Sequence, residues 1–153
     1  MSAITGAPIW VWPLLAFIIW YGVRVSNTRA VPVIAIYLTP LVGLLSINSV
    51  AGLHPSPVAW PAYGVAFLVG IVAGSRVQGK WIISKEDGKV TLSGEWLTLT
   101  VMLVIFCMNF VGGVSKAMFP ATYESSLFVG LFAIVAGLAS GSFCGRALKV
   151  WRS

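Results

Sequence analysis

Charge and reactive side chains are what this 153-residue chain has least of: 9% of it is charged, with four acidic residues, one histidine and two cysteines. Soluble domains are about a quarter charged and about half apolar. Here the apolar share is 58%, which excludes an ordinary soluble globular domain. One histidine, His54, cannot provide bis-histidine haem ligation or an ordinary zinc site. Beside Pro55 and Pro57 it reads as a loop residue facing solvent or head groups. No phosphate-binding loop, Gly-x-Ser-x-Gly elbow or His-Glu-x-x-His stretch occurs. No catalytic, cofactor-binding or metal-binding residues are therefore expected, and enzymatic activity is disfavoured.

What fills the chain is a series of five apolar runs, at about 8–23, 31–50, 58–74, 96–114 and 125–144. Each is close to the ~20 residues that cross ~30 Å of hydrocarbon as a helix. The fold class expected is an all-α integral membrane protein of five transmembrane helices, forming one helical membrane domain over 1–153. The first basic residue is Arg24, behind the first run rather than ahead of it. A signal peptide has the opposite order, so the first run is expected to be a retained span.

The net charge of +6 is distributed by topology. Arg24 and Arg29 follow the first run, Arg76, Lys80, Lys85 and Lys89 the third, and Arg146, Lys149 and Arg152 the fifth; of the ten Lys and Arg only Lys116 falls elsewhere. In an alternating five-span layout the majority share one side, and the positive-inside rule makes that side cytoplasmic, with the N-terminus outside and the C-terminus inside. The basic charge thus reports orientation in a lipid bilayer, and nucleic acid is not an expected partner. Trp10, Trp12, Trp20, Tyr21, Trp60, Tyr63, Trp81, Trp96 and Trp151 gather at run ends, as interface anchors do.

Between the third and fourth runs lies a polar island, "KWIISKEDGKVTLSGEW". Asp87-Gly88 is a favoured two-residue hairpin turn. A hairpin over about 80–95 then pairs Glu86 with Lys89, Ser84 with Thr91 and Lys80 with Glu95. Its other face carries Trp81, Ile83, Val90 and Leu92. A lone hairpin is marginal in water, so that face should rest on helix ends, on head groups or on a partner.

Small residues recur every fourth position on two runs: Ala62, Ala66, Gly70 and Gly74 on the third, and Ala133, Gly137, Gly141 and Gly145 on the fifth. Such glycine-zipper ridges let helix backbones approach closely in lipid. They are expected to pack on each other or to serve a homodimer. Pro40 interrupts the second run, and its freed carbonyl needs a hydroxyl or a neighbouring helix. Intramembrane polar residues are few, chiefly Asn48 and Asn109, and no ionisable residue falls clearly inside a run, which disfavours a proton-coupled pump. Asn109 is expected to bond across to another helix. Cys107 lies ~16 Å into its run at 1.5 Å per residue, whereas Cys144 is near the cytoplasmic end of its own, too far apart for a disulfide.

The run "GKVTLSGEWLTLTVMLVIFCMNF", Gly88 to Phe110, resembles a pattern in uncharacterised small bacterial inner-membrane proteins, in which a strand ending in Gly enters a helix through a short Leu-x-Leu step. Chain length and multi-span layout are similar, and a more distant likeness is to CcdC-type membrane proteins linked to cytochrome c biogenesis. Where such relatives carry Lys-Tyr this chain has Asn109-Phe110. The resemblance implies a bacterial inner-membrane location and a layout, without an activity. Together these features point to a non-enzymatic component that binds itself, a partner subunit or lipid. Two other classes stay open: a small-solute transporter using the second span with Asn48 and Asn109, and a membrane redox or biogenesis helper.

Overall fold

The computed structural model describes residues 8–53 and 55–153, so His54 lies outside the described residues. In chain order the elements are α1 (Val11–Val25), β1 (Arg29–Pro32), α2 (Val33–Ala51), α3 (Ala59–Trp81), β2 (Ile82–Glu86), β3 (Lys89–Leu92), α4 (Leu97–Met118), the single turn α5 (Pro120–Tyr123) and α6 (Ser126–Arg152). Helices α2, α3, α4 and α6 are long and apolar enough to cross a membrane. α1 has 15 residues, about 22 Å at 1.5 Å per residue, against ~30 Å of hydrocarbon. Long apolar side chains such as Leu38, Leu41, Leu45, Leu68, Val69 and Leu127 stay exposed. Water would penalise so continuous an apolar surface, and acyl chains would not.

The direction of each helix follows from the sheet. α3 runs straight into β2, β1 leads into α2, and Lys85 Nζ donates to the Val150 carbonyl in the last turn of α6, 2.8 Å away. α1, α3 and α6 therefore end at the sheet, and α2 and α4 start from it. Arg24, Arg29, Arg76, Lys80, Lys85, Lys89, Arg146, Lys149 and Arg152 all belong to this end.

α6 is the central helix, and its most extensive contact is with α3. A Cβ on either Gly70 or Gly141 would lie 3.0 Å from the Cα of the other. A Cβ on Gly137 would come within 2.5 Å of the Tyr63 carbonyl and 3.0 Å of the Ala66 Cβ, and one on Gly145 would overlap the Ile71 carbonyl. Gly74 is pressed in the same way against the Ser142 carbonyl, and Ala133 is fully buried. The two small-residue ridges thus pack on each other within one chain, where near backbones gain dispersion contacts that apolar side chains alone would not supply in lipid. On the other flank of α6, Gly43 of α2 faces Ser140, and the Ser46 and Ser140 hydroxyls are hydrogen-bonded. α2 continues through Pro40, which removes the N–H that would reach Ile36; the Thr39 hydroxyl donates to that carbonyl instead, at 2.6 Å.

Asp87 and Gly88 take φ of 46° and 72°, the pair of positive values a type I′ turn requires. Glu86, Lys85 and Ser84 pair with Lys89, Val90 and Thr91 as the turn dictates. Beyond Ser84 a bulge shifts the register, so Leu92 meets Ile82 rather than Ile83. The extra residue is Ile83, which points away and is 60% exposed; the apolar face is Ile82, Val90 and Leu92. The hairpin is also shorter than 80–95, since Lys80 and Trp81 finish α3. A third strand, unforeseen from the sequence, completes the sheet: β1 pairs antiparallel with β3, Arg29 opposite Leu92 and Val31 opposite Val90. The buried face rests on Ile36 of α2 and on Ala147 and Val150 of α6. That is the helix-end support a small sheet needs.

Candidate functional site

α1 and α4 pack on each other, with Gly22 so close to Leu99 that a Cβ would overlap its side chain, while α4 meets α6 only weakly. The result is a cavity of about 490 Å³ between the α1–α4 pair and the α2–α6 pair. Leu14 and Ile18 of α1, Ala35 and Ile36 of α2, and Met102, Ile105 and Phe106 of α4 make its walls apolar. At the sheet end the lining changes to Tyr21, Arg29, Gln78, Glu95, Thr98 and Arg146.

Local structure brings this polar group together. Gly94 lies against the Ser26 carbonyl, closer than any side chain would permit, and so seats the β3–α4 link on the α1–β1 loop and turns Glu95 inward. Thr98, in the first turn of α4, donates from Oγ1 to Glu95 Oε1 at 2.6 Å. Arg146 Nη1 donates to the same Oε1 at 3.0 Å and to Thr98 Oγ1 at 2.8 Å, closing a triangle. Trp81 and Phe143 cover the guanidinium, with ring centroids 5.6 and 5.9 Å from its carbon.

The triangle uses only part of its hydrogen-bonding capacity. Glu95 and Arg146 are each 6% exposed, yet Glu95 Oε2 and Arg146 Nε and Nη2 have no partner. A well-made Arg–carboxylate pair is bidentate, and each buried charged group left unmatched costs on the order of 1–3 kcal/mol or more. Gln78, 2% exposed, also makes no side-chain hydrogen bond among the described residues. Arg29, half-buried, joins no ion pair among the described residues. Of two guanidinium groups lining this end, only Arg146 is paired with the carboxylate, an arrangement better suited to receiving a polar group than to stabilising a bundle.

The residues singled out from the sequence fall elsewhere for the most part. Ala66, Gly70, Gly74, Ala133, Gly137, Gly141 and Gly145 are taken up in the α3–α6 contact. Val90 and Leu92 are buried beneath the sheet, Ile83 is exposed on the bulge, and Trp81 stacks on Arg146. Asn48 is exposed on α2 and does not line the cavity. Asn109 does line it, but its amide donates to Ile105 of its own helix at 2.9 Å rather than to a neighbour. Glu95 pairs with Arg146, not with Lys80 across the hairpin, because the bulge and the early end of the strands remove that register. Its signal in the sequence was that it directly precedes an apolar run, a position that Glu124 shares. Among the described residues no three His, Cys, Asp or Glu side chains gather in a metal-binding group. Compared with protein-family models, with curated proteins and with solved structures, the chain matches none.

Proposed function

We propose that the chain is a non-enzymatic, five-span protein of a bacterial inner membrane, with its N-terminus outside and its sheet in the cytoplasm, and that it holds a lipid-like molecule in the cavity beside the sheet. The observation behind this reading is the cavity's polarity: mainly apolar along the helices, where Thr39 and Asn109 are the polar exceptions, and charged at the sheet end. Its ~490 Å³ falls within the ~300–1,000 Å³ usual for small-molecule sites. From Thr98 to Asn109, both on its wall, α4 rises about 16 Å. That is about half of a ~30 Å hydrocarbon layer. A pocket one leaflet deep, with its polar end at head-group level, suits a molecule that lies in one leaflet.

The cationic sheet end supports the cytoplasmic assignment by the positive-inside rule. The likeness of Gly88 to Phe110 to small bacterial inner-membrane proteins supports the same location. α1 then serves as the fifth span, with its short length met by thinning or by flanking anchors such as Trp10.

Native mass spectrometry of protein extracted gently from its own membrane tests the reading. The wild type should retain the mass of one amphiphile, and Ala35→Trp, which fills the cavity from its wall, should lose it. A bare wild type, or equal retention by the filled variant, would refute the proposal.

One observation favours a second reading, small-solute transport. A void of about 30 Å³ beside Ser46, Ser49 and Asn109 shares Ile105 and Asn109 with the large cavity, extending a polar line away from the sheet. Flux into vesicles containing the protein, abolished by Asn109→Leu, would favour transport over retention.

A further inference from the structure

We infer that the polar end of the cavity is a recognition site for the phosphate ester of an anionic amphiphile, read jointly by Arg146 and Arg29. The inference rests on the cavity being a lipid site and goes further by naming the head group. Three facts carry it. Arg146 and Arg29 line the same cavity, and among the described residues its only carboxylate is Glu95, which pairs with Arg146, so the positive charge of the half-buried Arg29 is unbalanced there. A partly buried guanidinium gains from an anion placed beside it. Arg146 holds Nε and Nη2 free while Nη1 alone is occupied, and Nε with Nη2 is an edge that grips a phosphate through two parallel hydrogen bonds. Glu95 Oε2 is a free acceptor, which matches a head group that also donates from a hydroxyl.

These free atoms are covered in the present conformation, by the close packing that puts Trp81 and Phe143 on the guanidinium. Entry of a head group therefore swings the Arg146 fork toward the cavity while Nη1 stays on Glu95 and Thr98. The ligand class is a long-chain glycerol phosphodiester or phosphomonoester. A zwitterionic head of similar size brings its own ammonium and is disfavoured by the unbalanced positive charge.

The test uses delipidated full-length protein in detergent, titrated by native mass spectrometry with phosphatidylglycerol, phosphatidylcholine, diacylglycerol and inorganic phosphate. Phosphatidylglycerol should bind at least about 10-fold more tightly than diacylglycerol, the scale of one charge-assisted hydrogen bond. Arg29→Gln should reduce phosphatidylglycerol binding by about 10-fold and leave diacylglycerol unchanged. Arg146→Lys, which keeps the charge and loses the fork, should act in the same direction, and thermal unfolding confirms that both variants are folded. Equal binding of phosphatidylglycerol, phosphatidylcholine and diacylglycerol, or indifference to both substitutions, would overturn the head-group inference while leaving the lipid site standing. Inorganic phosphate bound as tightly as phosphatidylglycerol would overturn it in favour of a soluble anion. Failure of every amphiphile to bind would instead refute the lipid site itself.

Discussion

Glu95 and Arg146, 51 residues apart in sequence, are joined through one oxygen and one nitrogen, with Thr98 bridging both. Removing one member of a buried pair strands the other, at a typical cost of 3–5 kcal/mol, whereas replacing both with apolar side chains is often neutral. Glu95→Leu alone should therefore lower the thermal midpoint in detergent sharply, and Glu95→Leu with Arg146→Met should recover most of it. Additive losses in the double variant would show that the two residues contribute independently.

Glycines in these helices divide into those that must stay small and those that need not. A Cβ on Gly141 would overlap the Phe67 carbonyl, while one on Gly113 would meet nothing within 4 Å. Gly113→Ala should stabilise the chain by up to ~1 kcal/mol through helix propensity. Gly141→Ala should destabilise it by separating α3 from α6. Parallel unfolding curves for the two variants would check this, and the same sign for both would contradict the packing.

At the sheet, the left-handed backbone of Gly88 penalises any side chain with a Cβ. Gly88→Val should cost on the order of 1–2 kcal/mol or more locally. Amide exchange across residues 82–92 should then quicken while α3 and α6 stay protected. Unchanged protection there would mean the turn is not what holds the strands.

Tyr63 carries a buried hydroxyl with no partner, inside the apolar cluster of Val50, Leu53, Val129 and Phe132. Tyr63→Phe removes a desolvated oxygen without losing the ring, so stability should be unchanged or rise by up to ~1–2 kcal/mol. A clear loss would place a bound water or other partner at that oxygen.

The helices are legible in the sequence because lipid-crossing length and apolarity are local properties, and the turn because Asp87-Gly88 specifies positive φ by itself. The ridges are legible as a spacing, though their mutual partnership is settled by the fold. What the sequence conceals is whatever depends on one unpaired residue or on distant contacts. A single bulge moves Ile83 off the apolar face and breaks the expected Lys80–Glu95 pair. β1 hides in four residues, Arg29–Pro32, too few to show a period. The polar cluster draws Gln78, Glu95, Thr98 and Arg146 from three helices and a link; Gln78, Glu95 and Arg146 lie just beyond the apolar runs, where charges read as ordinary flanking residues, and Thr98 is just inside one.

The pairing of β1 with β3 also sets an order of events during biosynthesis. α1, β1 and α2 leave the ribosome well before Lys89–Leu92 exists to pair with them. Until then the connector carrying Arg29 is an open strand edge between two apolar helices. β3 thus gives the first helical hairpin a long-range partner before α4 and α6, on which α1 and α2 pack, have been made.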